Sequence, residues 1–437
     1  MTKVITYGTY DLLHYGHIRL LKRAKALGDY LIVGVTSDDY DKVRGKINNQ
    51  QDLMKRIAAV KALGIADEVI VEEYEGQKID DIQKYDVDIF TVGSDWEGHF
   101  DYLKEYCKVI YLPRTEGISS TEIRSKARKV KVGIVGSLPF LIQKFVNESE
   151  YVNGIELYGL YSEKNELNVL KGLQYITDNY QDLLHKSDAV YILSNPIYHY
   201  QQIKKALLSG KHVLCESPIT LNMVQTKELF EIAKKNHCIL QEGMKTAYAT
   251  AYQRMLLLLK GGIIGKVIDV DATCTSLNTP LNDGWDGLTY WGPTALLPVF
   301  QILGTEYISK QIMVLNGDKN NVFAKINFTF SSGGASVKAG CGVKSEGELI
   351  VSGTNGYVYI PSPWWKTDYF EIRYENPALN KRYFYQLDGE GIRNGIVVFL
   401  NKIQNGKAPV CMEENVSSAI SSVIEDYIAH NDRYDLA

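Results

Sequence analysis

Cysteine is scarce and unclustered in this chain, and that excludes more than any single residue present. Six are spread over 437 residues, at Cys107, Cys215, Cys238, Cys274, Cys341 and Cys411, with no C-x-x-C pair. Such spacing argues against a zinc site and a disulfide framework, and leaves them as small buried hydrophobes of a reducing compartment. Long apolar runs are missing too: no stretch reaches the roughly 20 residues that span a bilayer. No signal-peptide pattern precedes the first strand. Nor is there a basic block, since 48 Lys+Arg face 52 Asp+Glu for a net charge of −4. Neither nucleic acid nor an anionic membrane surface is indicated as a partner. A soluble, cytoplasmic chain is expected, too long for one ordinary core, with two or three domains.

What is present centres on residues 4–26, VITYGTYDLLHYGHIRLLKRAKA. Residues 4–7 read as a buried strand, Gly8 as a turn, and a helix with leucines on one face begins near Gly16. His14 and His17 flank that glycine. A helix starting there places both imidazoles on its first turn, beside unpaired amides and the positive dipole end. Imidazoles and free amides converging on one spot suit a phosphate in transit. Further strands at residues 30–36, 68–71, 89–92 and 109–112 alternate with helical patterns, which implies a parallel sheet with helices on its faces. The ligand crevice of such a sheet lies beyond the carboxyl ends of its strands. Thr9, Tyr10, Asp11, Asp38, Asp95 and Arg114 gather there. Arg114, Thr115, Ser119 and Ser120, at the start of a helix carrying Glu122 and Arg124, form a second anion cradle.

Four motifs, GTYDLLHYGHIRLLKRAKALGDYLIVGV, ADEVI, VGSDWEGHFDYLK and YLPRTEGISSTEIR, resemble the bacterial glycerol-3-phosphate cytidylyltransferases of the H-x-G-H nucleotidyltransferase superfamily, over nearly all of residues 1–128. The resemblance implies that CTP and a small polyol phosphate form a CDP-polyol and pyrophosphate. It assigns His14, His17, Lys46 and Arg114 to catalysis, with Thr9, Tyr10, Asp11, Gly16, Asp95, Thr115, Ser119 and Ser120 on the nucleotide. Asp38, Arg44, Arg56 and Asp67 support the site. Mg²⁺ would arrive with the triphosphate, with no metal ligand from the protein. Teichoic acid, capsule or another surface glycan is the implied destination.

A strand–turn–helix pattern restarts at Val130. Strands at residues 130–136, 156–162, 189–193 and 212–215 suggest a dinucleotide-binding fold with an incomplete glycine signature: Gly133 and Gly136 are present, and the third place falls near Pro139 and Phe140. The acidic ribose position is Ser162, followed by Glu163. DAVYILSNPIYHYQQIKKALLSGKHVLCESPITL and ILQEGMKTAYATAYQRMLLLLKGGIIGKV resemble the Gfo/Idh/MocA oxidoreductases, from Val130 to the C-terminus. This implies NAD or NADP, held by Gly133, Val135, Gly136, Ser162, Ser194, Asn195, His199 and Glu216. Six strands of period-two alternation between residues 267 and 374 predict an open, largely antiparallel sheet, and a helix over 414–430 ends the chain. The expected domains are 1–129 (cytidylyltransferase), 130–250 (Rossmann) and 251–437 (α+β), in an α/β chain expected to self-associate.

The second half departs from its relatives at their proton-handling positions. Ser217 stands where the family keeps a lysine, and Pro298 and Ile302 align with its aspartate and histidine. A serine hydroxyl does not titrate near neutrality. Lys245 and His199 are candidate replacements. Two readings follow: a Rossmann half that binds without turning over, or a bifunctional enzyme whose reductase half supplies the polyol phosphate.

Overall fold

Val4, Ile5, Thr6 and Tyr7 are all buried, without alternation, and the computed structural model shows why. β1 (Lys3–Gly8) is the central strand of a parallel sheet covered on both faces. The structure describes residues 1–43, 51–74, 76–113, 129–136, 138–162, 173, 175–278, 286–317, 322–385, 387–406 and 410–436. They form two compact units, Met1–Arg128 and Lys129–Ala437.

In the first unit, β1, β2 (Tyr30–Thr36), β3 (Glu68–Glu72), β4 (Ile89–Gly93) and β5 (Lys108–Leu112) lie in the order β3-β2-β1-β4-β5, all parallel. Each expected strand forms within one residue of its expected ends. Val4 packs with Leu21 and Ala24 of α1 (Tyr15–Lys25) and Val60 of α3 (Leu53–Ala62). Ile5 and Tyr7 face the other way, onto Phe90, Phe100 and Ile82 of α4 (Gln77–Tyr85). With α2 (Asp38–Val43) following β2, every strand delivers its carboxyl end to one rim.

The second unit opens on β6 (Val130–Val135), α5 (Pro139–Ser149), β7 (Ile155–Tyr161), β8 (Ile176–Thr177), α6 (Tyr180–Lys186), β9 (Ala189–Ile192), α7 (Pro196–Leu208), β10 (His212–Cys215), α8 (Met223–Lys235) and β11 (Leu240–Glu242). Its parallel sheet runs β11-β10-β9-β6-β7-β8. After α9 (Thr250–Lys260), a nine-stranded sheet contains β12 (Val267–Ser276), β13 (Ser309–Asn316), β14 (Val322–Thr329), β15 (Gly334–Cys341), β16 (Leu349–Gly353), β17 (Tyr357–Ile360), β18 (Tyr369–Arg373), β19 (Lys381–Phe384) and β20 (Arg433–Leu436). Its order is β19-β18-β17-β16-β12-β15-β14-β13-β20. Two pairings, β12 with β15 and β13 with β20, are parallel, so the open sheet is mixed. α10 (Gly287–Leu303) and α12 (Glu414–Ile428) contribute to its core.

The chain does not leave the Rossmann sheet for good at its end. α11 (Ile392–Asn405) returns to it, and Ile396, Phe399 and Leu400 share one core with Val132, Ile134 and Phe145. Thr226 on α8 meets Ser421 on α12 at 2.8 Å. Among the described residues no helix is long and apolar enough to cross a membrane, and no cluster of three or more His, Cys, Asp or Glu could hold a metal ion. The six thiols are free, and all but Cys107 are buried.

Candidate active site

The turn after β1 is strained. Tyr10 and Leu12 take left-handed backbone, with φ of 53° and 47°, and strain held at the rim of a parallel sheet is a mark of a working site. Gly8 makes the turn feasible, because a Cβ there would lie 2.9 Å from the Tyr10 ring. That ring folds into the core, 1% exposed, and meets His17 edge-on at 5.5 Å. Tyr10 therefore backs the site, and only its backbone can face a ligand.

α1 starts on a reciprocal cap. His14 Nδ1 accepts from the Gly16 amide at 3.1 Å, and His17 Nδ1 accepts from the His14 amide at 3.5 Å. The expectation that both imidazoles lie on the first turn is corrected here. His14 is extended (φ −129°, ψ 173°) and caps the helix, because its ring takes an amide that the first turn leaves unpaired. The two rings stack at 3.9 Å and 24°. With Nδ1 accepting in each, the neutral rings carry their protons on Nε2. Two aligned N–H donors at a helix N-terminus can stabilise negative charge growing on a phosphate.

Behind the pair sits Arg56, fully buried. Its Nη1 donates to Thr9 O at 2.6 Å and Thr36 O at 2.8 Å, its Nε to Gln51 O at 3.0 Å, and its Nη2 to the Asp38 carboxylate. Asp41, also buried, lies 3.7 Å away and accepts the Thr9 hydroxyl at 2.9 Å. Asp11 accepts the Gln51 amide at 3.0 Å while Gln51 Oε1 accepts from Leu12 N at 3.1 Å. Asp38 also accepts the Leu53 amide at 3.1 Å. The ends of β1 and β2 and the start of α3 are thus locked to one guanidinium.

Thr9, Tyr10, Asp11, His14, Gly16, His17, Asp38 and Arg56 are brought together. Asp95 is exposed on the Ser94–Trp96 turn, at the carboxyl end of β4. Asp67 is not with them. It precedes β3 at the amino rim, accepting from Leu31 N at 2.6 Å and from Lys25, whose hydrogen bond holds its pKa low. Arg44, Lys46, Arg114, Thr115, Ser119 and Ser120, with Glu122 and Arg124, lie outside the described residues. Sequence reasoning missed Asp41, Gln51 and Lys78. Lys78 lines a cleft with Tyr7, Gly8, Thr9, Val92, Trp96 and Phe100, is paired with Glu72, and sits 4.8 Å over the Tyr7 ring. DDYDK, an acid-rich helix start after a buried strand, was the available signal for Asp41.

In the second unit most candidate cofactor residues have structural work. Gly133 is explained by packing, since a Cβ there would lie 2.7 Å from Ser187 Oγ and 2.8 Å from Leu183. Val135 is core. Asn195 caps α7 through the Ile197 amide at 3.1 Å, and Ser194 Oγ donates to Gln202 at 2.5 Å. His199 is corrected as a proton carrier: its Nδ1 and Nε2 each lie 2.9 Å from a backbone carbonyl, of Pro218 and Ser194, and burial lowers its pKa. Glu216 takes the Tyr191 hydroxyl, and its pKa is pushed up by burial. Ser162 follows β7 directly, 5% exposed, and Glu163 is outside the described residues. Pro298 and Ile302 belong to the packed body of α10. Tyr290, about two turns earlier on that helix, is the residue that interacts with Glu216. The Ser217 hydroxyl is buried and interacts with Glu242. Nearby Glu242, which sequence reasoning missed, is 1% exposed, and burial pushes its pKa up to about 7.

Residues 5–126 match the cytidylyltransferase-like family. The glycerol-3-phosphate cytidylyltransferase of Bacillus spizizenii is 54% identical over 124 residues, which cover 28% of this chain and 95% of the relative. The chain belongs to the glycerol-3-phosphate cytidylyltransferase family. It is a nucleotidyltransferase, and its family uses CTP and a phosphate-bearing substrate. The glycerol-3-phosphate cytidylyltransferase of Staphylococcus aureus is 52% identical over 126 residues, covering 29% of this chain and 95% of the relative. Unlike those relatives, this chain carries a second unit, whose residues 130–244 match the Gfo/Idh/MocA oxidoreductase family with its NAD-binding Rossmann fold. The fold of a 3-ketoreductase from Actinomadura kijaniata, solved with NADP and TDP-benzene, is similar (TM-score 0.62, 18% identity, 71% of this chain and 99% of that one).

Proposed function

We propose that the first unit transfers the cytidylyl group of CTP to glycerol 3-phosphate or a related small polyol phosphate. The observation that carries this is the stacked His14–His17 pair, capping α1 at the carboxyl rim of the sheet. An acceptor phosphate oxygen attacks the α-phosphorus in line and pyrophosphate leaves, so positioning and charge stabilisation are the protein's work. His14 and His17 donate from Nε2 to the α-phosphate. Thr9, the Tyr10 backbone, Asp11, Gly16 and Asp95 contact the nucleotide, with Asp38 and Arg56 holding the rim and Asp67 bracing the sheet from behind. Lys46, Arg44, Arg114, Thr115, Ser119 and Ser120 take the remaining phosphates, as their place in the resembling motifs suggests, and Mg²⁺ accompanies the triphosphate. Lys78, in the cleft beside Thr9, is positioned for the acceptor phosphate. His17→Ala should lower CDP-glycerol synthesis about 100- to 1000-fold; near-normal synthesis in that variant would remove the mechanism.

For the second unit we propose domains at 130–250 and 251–437 that bind NAD or NADP without turning it over. The fit rests on Gly136, whose φ is 156° and whose Cβ would lie 2.7 Å from Leu193. The bare turn leads into the amino end of α5, where backbone amides suit a pyrophosphate. That helix end, Ser162 and Ser194 would hold the cofactor, which would supply a hydride only if the bifunctional reading held. Ser217 offers no titrating group where the related family keeps its lysine. The bifunctional reading draws on Glu242, whose pKa of about 7 suits proton transfer. Steady oxidation of NAD(P)H by candidate ketones would decide for it.

A further inference from the structure

Three ammonium groups of the second unit converge on one carboxylate. Lys144 Nζ and Lys245 Nζ each lie 2.6 Å from Glu390 Oε2, and Lys366 Nζ lies 2.9 Å from Glu390 Oε1. They come from separate segments: α5, the Lys245–Tyr248 turn after β11, and the Trp364–Lys366 turn after β17. The arrangement is built. Gly389, Glu390 and Gly391 all have positive φ (64°, 53° and 88°), and a Cβ on Gly391 would lie 2.3 Å from Lys245 O. Thr246 Oγ1 donates to Trp365 O at 3.1 Å, tying the two lysine-bearing turns together.

The charges do not balance. Among the described residues three lysines face Glu390; Glu216 also interacts with Lys144 and Lys245 and is pushed toward neutrality by burial, while burial and the neighbouring Lys144 and Lys366 charges lower the pKa of Lys245. The adjoining Arg393–Glu148 pair, at 2.5 Å, is balanced within itself. Each ammonium has three N–H donors, and among the described residues the ammonium hydrogen bonds and ion pairs of these lysines go to Glu390. Side-chain exposures of 24%, 33% and 41% leave them open to solvent. Like charges held this close repel, and an added anion would relieve that.

We propose that Lys144, Lys245 and Lys366 form an anion site for the phosphate of a small phosphorylated ligand. The interaction of Lys144 and Lys245 with Glu216, at the carboxyl end of β10, sets that phosphate beside the crevice, so the rest of the ligand lies toward Glu216 and Ser217. This deepens the reading of the second unit as a binding module and does not depend on the chemistry of the first. The site selects ligands by their phosphate: a phosphorylated ketone binds and its unphosphorylated counterpart does not.

Calorimetric titration of the full-length protein with inorganic phosphate, dihydroxyacetone phosphate and dihydroxyacetone tests this. The two phosphate-bearing probes should show a binding event that Lys366→Ala weakens at least about tenfold and Lys366→Arg largely retains. Lys245→Ala should weaken the same event, with cytidylyl transfer unchanged in all three variants. Lys366 is the most exposed of the three lysines, so that variant stands alone should Lys245→Ala fail to fold. Identical phosphate binding in wild type and Lys366→Ala would overturn the proposal, as would equal affinity for dihydroxyacetone and its phosphate. A Lys366-dependent event in a protein without cytidylyl transfer would support the site and refute only the reading of the first unit.

Discussion

Arg56 holds the first site together through groups that no local stretch of sequence reveals. Three of its acceptors are backbone carbonyls, of Thr9, Thr36 and Gln51, and they come from three segments. Resemblance to a family can mark the residue, but burial of a guanidinium among carbonyls emerges only in the fold. Arg56→Met should cost roughly 3–5 kcal/mol, because Asp38 and Asp41 lose their buried cation. Urea unfolding measures the stability and CDP-glycerol synthesis the accompanying loss of alignment. Glu242 was equally illegible, since nothing in ILQEG marks a carboxylate that the fold buries. Its folded pKa of about 7 lies above the ordinary 4.5. Below pH 4.5 both folded and unfolded carboxyls are protonated and its stabilising contribution is complete. As pH rises toward and through 7 the unfolded chain releases the proton more readily, and stability is lost. The loss is at most roughly 3 kcal/mol. Glu242→Gln should flatten that decline when urea midpoints are compared at pH 5 and 8; parallel declines would contradict it.

Among the elements, α1 shows a structural role and a chemical one on the same side chain. His14 is the N-cap, a place that asparagine fills well. His14→Asn should therefore hold thermal stability within about 1 kcal/mol while turnover falls about 100-fold or more. Equal losses of stability and activity would make the histidine a cap and nothing else. The five strands of the first parallel sheet and β6, β7, β9 and β10 of the second were legible because burial produces apolar runs, whereas β8 and β11, two and three residues long, were too short to read. β13, β19 and β20 were not legible either. β13 buries only Ile312 and Val314, while no residue of β19 or β20 is buried. A strand with few buried residues has little period-two signal to read, whether it lies at the edge, as β19 and β20 do, or beside it, as β13 does. The parallel pairing of β12 with β15 was also hidden, because alternation reports a half-buried face and says nothing of strand direction.

At the scale of the whole molecule, the relatives of the first unit are spanned almost end to end by its residues. Residues 1–128, expressed alone, should fold and retain CTP-dependent transfer, since the unit has its own two-faced core. The paired imidazoles were readable from H-x-G-H spacing. Their stacking and tautomer were not, because these depend on a turn in which Gly8 lets Tyr10 fold inward. The second unit ties its Rossmann and open sheets together through α11, α8 and α12, so its ligand chemistry belongs to the pair. The most direct measurement is pyrophosphate release from CTP by the full chain, against glycerol 3-phosphate and longer alditol phosphates, with and without His17→Ala. Release matched by a CDP-polyol, and lowered about 100- to 1000-fold in the variant, is the predicted result. A folded protein that releases pyrophosphate with none of these acceptors, or a variant that matches wild type, would contradict the account.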